Sequence, residues 1–224
     1  MITSIPTAND FRNRGVDYLN LAWGQLLQLL CEFEDYEEWT DEEEVTKEKY
    51  LANAEREIDV SITLAAQGAE FLLKSKIAEV SHWLLISRDR DWPQKCDRQD
   101  VSFSKFRMLD AHDLVKVHNT VCEKRLDEDF IQNLTLLRET RNSIVHSISN
   151  IPNFEVSEII EQILLISENL IGPRMWISIR REFLNVDRHS IIMDDSGGYR
   201  LVREFSHLPK LLKPSLMKKY FGFN

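Results

Sequence analysis

Glycine and proline are scarce, at 7 and 6 in 224 residues. A many-stranded sheet needs many tight turns, and turns draw on these two residues. Long helices are therefore expected instead. The three cysteines, Cys31, Cys96 and Cys122, are odd in number and far apart. Their spacing fits neither a zinc site nor a disulfide frame, and a reducing cytoplasm is the expected setting. No run approaches the ~18 apolar residues of a membrane span. The opening "MITSIPTANDFRNRG" lacks the apolar core of a signal peptide. A cytoplasmic protein with no membrane association is expected.

Basic residues are also outnumbered. Lys and Arg total 28 against 37 Asp and Glu, a net charge of -9. The global basic footprint of a nucleic-acid coat is absent, which leaves room only for a local cationic cleft. A Gly-rich phosphate loop, an HExxH helix and a nucleophile elbow are missing as well. The common NTPase, zinc-protease and hydrolase readings fail with them. No metal and no other cofactor is expected.

What is present is helical periodicity. Residues 16–33 place Leu19, Trp23, Leu26, Leu27 and Leu30 along one side. An acidic run from Glu32 to Glu44 follows, which is expected to be a solvated loop. Residues 47–87 predict one long helix, or two broken near Gly68. Apolar residues on both of its sides suggest burial between layers or at a subunit interface. Asp110 and Asp127 are placed to cap the next two helices, the second covering residues 128–148. Helices over 155–170 and 174–186 follow. "SIIMDDSGGYRLVREF", residues 190–205, then sets two β-prone runs around a Gly-rich turn, a hairpin signal. The expectation is an all-α, helical-bundle body over residues 1–186, with a small C-terminal β-hairpin appendage and tail over 187–224.

One helix carries an anomaly. In "LLRETRNSIVHSISN", residues 136–150, Leu134, Leu137, Ile144, Val145 and Ile148 share a broad face on a wheel of 100° per residue. Arg141 falls in the middle of it. Asn142 and His146, four apart, lie together on its edge, and Arg138 lies between. An unpaired guanidinium costs several kcal/mol to bury. Either this patch is exposed, or an acid, a phosphate or a partner subunit meets it. The spacing R-x4-H decides little alone: 16 arginines and 6 histidines in 224 residues give roughly 0.4 matches by chance. A second match, Arg107 to His112 in "RMLDAH", straddles a loop-to-helix junction and lacks the Asn. His112 and His118 are expected to be structural.

"RNSIVH" resembles the R-N-x-x-x-H form of the R-x4-6-H signature of HEPN domains (higher eukaryotes and prokaryotes nucleotide-binding). "AAQGAEFLLKSKIAEVSHWLL" is similar to the long helix of bacterial members, with Glu70 and Lys74 in an E-x-x-x-K pattern. "FSKFRMLDAHDLVKVHNTV" looks like the segment before the signature helix. The resemblance covers roughly residues 50–170. It implies a helical bundle that dimerises, so that two signature helices face each other across a composite cleft. It further implies a metal-independent endoribonuclease acting in antiphage defence or as a toxin. Arg141 and His146 would then be catalytic, with Asn142, Arg138, Glu70 and Lys74 supporting. RNA is the implied substrate, a homodimer the implied assembly, and an antitoxin or regulatory protein a further partner. Other members are non-catalytic modules that hold a partner protein or a nucleotide, and that alternative stays open.

The chemistry fits those residue types. RNA cleavage needs a base for the 2′-hydroxyl, an acid for the leaving oxygen, and positive charge on the phosphorane. Histidine serves either proton transfer. Arginine offers a planar fork to phosphate oxygens. A pair at i, i+5 points ~140° apart on one helix, so two copies related by a dyad would aim both groups better than one chain can.

Overall fold

A computed structural model describes residues 1–39, 45–87, 92–94, 96–146, 155–186 and 198–222. The described chain is dominated by helix. Its only sheet among the described residues is a parallel pair of two-residue strands, β1 (Ile2–Thr3) and β2 (Val101–Ser102).

The frame is an antiparallel pair, α1 (Ala8–Trp39) and α3 (Glu55–Val80). Thr7 and Asp10 start α1 as a reciprocal cap: Asp10 N–H donates to Thr7 Oγ1 at 3.1 Å, and Thr7 N–H to Asp10 Oδ2 at 2.7 Å. The two helices touch backbone to backbone where Gly15 meets Gly68. A Cβ on Gly68 would lie 2.8 Å from Leu19 Cδ2, and one on Gly15 would lie 2.9 Å from the Gly68 carbonyl oxygen. Gly68 is therefore the crossing point and does not break the helix. The break falls at Ala54, after the short α2 (Lys47–Asn53).

Trp23, Leu26 and Leu27 share one buried core with Ile62, Ala65, Ala69 and Leu72, which flank the crossing on α3. α4 (Ala111–Val121), α5 (Glu128–His146) and α6 (Val156–Leu170) close over α3. Asp127 caps α5, accepting from Phe130 N–H at 2.7 Å. α6 opens on a capping box formed by Glu155 and Glu158. α7 (Trp176–Val186) leads toward the C-terminal segment. No helix among the described residues is long and apolar enough to cross a membrane.

Two expectations need correction. The acidic run does not begin a loop at Glu32, because α1 continues through Trp39. Glutamate propagates a helix well, and these acids have partners. Glu34 pairs with Lys210 at 3.0 Å, Asp35 with Arg203, and Glu32 accepts from Tyr50 at 3.0 Å. Lys210 holds the Glu34 carboxyl below its usual range, and Arg203 does the same for Asp35. Residues 40–44 lie outside the described residues.

The C-terminal β-hairpin is also overturned. Its second arm is helix α8 (Gly198–Ser206), followed by α9 (Leu208–Leu211) and α10 (Pro214–Phe221). The first arm, residues 190–194, lies outside the described residues. At helical spacing Leu201, Glu204, Phe205 and Leu208 share the inward face, while the β-prone Tyr199 and Val202 are 73% and 71% exposed. The decisive inward group is Glu204, which accepts from Arg180 Nη2 at 2.6 Å and Nε at 2.8 Å and from Trp23 Nε1 at 3.1 Å. Leu208, Leu212, Met217, Tyr220 and Phe221 join the same core as α1 and α3, so this segment is built into the body.

A candidate anion site between α3, α4 and α5

The buried stripe of α5 runs Phe130, Leu134, Leu137, Thr140, with Ile144 half-buried beyond it. Thr140, not Arg141, takes the central place; its hydroxyl bonds back to the Leu136 carbonyl at 3.0 Å. Val145 is 52% exposed. Arg141 therefore sits half-buried at the edge of the stripe, one turn from Arg138. Both line a cleft of about 330 Å³. Gln67 and Glu70 of α3 form one wall, the start of α4 from Asp110 to His112 another, and Arg138, Arg141 and Asn142 the third.

The charges in this cleft do not cancel. Glu70 is committed to Lys74 at 2.5 Å, with Lys74 itself buried and its ammonium 5.3 Å from the Phe71 ring centre. Asp110 is committed to Arg107 at 3.1 Å. Arg138 makes no ion pair among the described residues, and Arg141 donates only to the neutral Asn142 Oδ1, at 3.0 Å. Two guanidinium groups are left facing the cleft without a carboxylate.

The start of α4 adds to this. Asp110 occupies the cap position but turns its carboxylate to Arg107, leaving no side-chain cap on the helix. The backbone N–H groups of Ala111 and His112 thus have no acceptor among the described residues. Uncapped N–H groups at a helix start favour an anion. Together with two planar forks, they suit a phosphate.

The placement of the sequence candidates divides clearly. Arg138, Arg141, Asn142 and Glu70 come together in the cleft, and Lys74 stands behind Glu70. His146 does not line it. It is exposed, at the last residue of α5, about 7.5 Å along the helix axis from Arg141. His112, expected to be structural, lies in the cleft instead, with an 82% exposed side chain and Nδ1 3.8 Å from Asp113 Oδ1. The only sequence signal for it was the second R-x4-H spacing.

Two further histidines, His118 and His207, are engaged elsewhere. His118 is buried, with Nδ1 3.1 Å from Asn119 Oδ1, and burial pushes its pKa down. His207 Nε2 lies 3.3 Å from both Cys31 Sγ and Glu34 Oε2. Both contacts fall on one ring nitrogen, so no relay through the ring exists. Burial raises the Cys31 thiol pKa, away from a nucleophilic thiolate. A larger groove, of about 570 Å³, carries Glu48, Glu55, Asp59 and Glu155 against one lysine, Lys47. Its charge repels a phosphate.

Compared with protein-family models, with curated proteins and with solved structures, the chain matches none.

Proposed function

We propose that the protein is a metal-independent endoribonuclease of HEPN type. The observation that carries this reading is the cleft lined by Arg138 and Arg141 without a carboxylate partner, while both acids that line it, Glu70 and Asp110, are already paired. Arg141, steadied by Asn142, grips the scissile phosphate. Arg138 supplies the second fork, and the Glu70–Lys74 pair fixes the α3 wall. His146 transfers a proton.

Because His146 stands outside the cleft of its own chain, a homodimer that brings two α5 ends together supplies it from the second copy. The phosphodiester is cleaved by its own 2′-hydroxyl, giving 2′,3′-cyclic phosphate ends. The setting is the cytoplasm, with a role in antiphage defence or as a toxin held in check by an antitoxin or regulatory protein.

A second reading draws on the same observation about His146. A cleft with anion ligands and a distant histidine also suits a non-catalytic module that binds a nucleotide or a partner protein. Cleavage of RNA in EDTA by wild type, Arg141→Ala and His146→Ala separates the two. The nuclease reading expects losses of ~100- to 10,000-fold for each variant. Wild-type protein that binds RNA and leaves it intact favours the binding module.

A further inference from the structure

We propose that His112 is the general base of the cleft, and that it takes the 2′-hydroxyl proton while His146 acts on the leaving oxygen. This role rests on the endoribonuclease reading above.

The chemistry asks for two proton transfers on opposite sides of phosphorus. The attacking 2′-oxygen and the departing 5′-oxygen lie roughly in line, so one imidazole cannot reach both. The phosphate position is set by Arg138 and Arg141 on α5. His112 lines the same cleft from a different element, the first turn of α4. Its Nε2 has no partner among the described residues, whereas its Nδ1 is 3.8 Å from the Asp113 carboxylate. An imidazolium formed when Nε2 takes a proton therefore has an opposite charge 3.8 Å from its other ring nitrogen, across an exposed contact. His118 and His207 are buried and already engaged.

In the step, the 2′-O–H proton passes to His112 Nε2 and the 2′-oxygen forms its bond to phosphorus. The bond from phosphorus to the 5′-oxygen breaks, and that oxygen takes a proton from protonated His146. Afterwards His112 releases its proton to solvent and His146 regains one, so protons balance over the cycle.

The test compares wild type, His112→Ala, His112→Gln and His146→Ala on two RNAs of one sequence. One has an ordinary scissile linkage and the other a bridging sulfur in place of the 5′-oxygen. A thiolate leaves without a proton, so sulfur restores a variant lacking the acid and does nothing for one lacking the base. Both His112 variants should lose ~100-fold or more on either RNA. His146→Ala should recover with the sulfur substrate. Far-UV circular dichroism should be unchanged, because the side chain is 82% exposed. His112 variants at the wild-type rate, beside an inactive His146→Ala, overturn the role and leave the nuclease reading standing. Restoration of His112→Ala by sulfur overturns the base assignment. Wild-type protein that cleaves neither RNA overturns the nuclease reading and this role together.

Discussion

Replacing Glu204 by alanine should be among the most damaging single changes in this protein. Glu204 is 3% exposed and Arg180 is 1% exposed. Three N–H groups converge on the carboxylate: Arg180 Nη2 at 2.6 Å, Arg180 Nε at 2.8 Å and Trp23 Nε1 at 3.1 Å. The guanidinium is held on its other side by the Asn20 carbonyl, 2.9 Å from Nη1. Gly24 makes room for it, since a Cβ there would lie 2.9 Å from Nη2. Arg180 cannot swing to water without leaving this socket. Removing Glu204 therefore leaves a charge buried and unpaired, which costs about 3–5 kcal/mol. The orphaned Trp23 N–H adds to that in the same direction. For a chain of this length, the loss lowers the thermal midpoint by about 6–20 °C. Urea titration followed by circular dichroism measures the loss in free energy, with Glu204→Gln, which keeps one acceptor oxygen but loses the other and the charge, falling between. A loss under about 1 kcal/mol for Glu204→Ala, the size of an exposed pair, would refute the claim that this pair locks α8 to α1 and α7.

Gly68→Ala should destabilise by about 1–3 kcal/mol in urea through overpacking against Leu19 and Gly15; a gain from helix propensity would mean the α1–α3 crossing is loose. Asp127→Ala should cost about 0.5–2 kcal/mol by removing the cap bond to Phe130 N–H, read from the same titration, and no change would show that α5 does not depend on it. Burial pushes the pKa of His118 down in the folded state. The unfolded chain then binds the extra proton, so this contribution is present above the ordinary histidine pKa near ~6.5 and is lost as pH falls through the lower folded value. The decline of stability with falling pH should be shallower in His118→Gln than in wild type, and an unchanged slope would show that His118 is not held neutral.

The parts of the fold legible in the sequence are those with a strong local period. Val156, Ile159, Ile160, Ile163, Leu164 and Ile166 are all buried on α6, and their spacing alone places that helix. The acidic run and the C-terminal segment misled for one shared reason. Glu34, Asp35 and Glu204 are satisfied by Lys210, Arg203 and Arg180, which lie far along the chain, and no local pattern reveals such partners. Charge density predicts exposure to water, and the exposed side of a helix satisfies it as well as a loop does.

The site divides the same way. Arg138, Arg141 and Asn142 share one stretch of helix, so a wheel groups them. Glu70 is singled out only through the E-x-x-x-K pattern of the family resemblance. His112 reaches the cleft from another helix, and only the packing of α4 on α3 and α5 brings it there. The wheel also placed Arg141 at the centre of the buried face, because it counted Val145 as core; the structure turns α5 so that Thr140 is central.

The central claim is that Arg138 and Arg141 hold a phosphodiester in the α3–α4–α5 cleft. Titrating wild type, Arg138→Ala, Arg141→Ala and the double variant with a single-stranded 2′-O-methyl RNA, which cannot be cleaved, over a series of salt concentrations tests it directly. Each phosphate contact to a single strand contributes about 0.7 to the slope of log K against log salt. The slope should fall by about 0.7 for each arginine removed and by about 1.4 for both, with affinity falling in step. Equal slopes and equal affinities for all four proteins would contradict the claim.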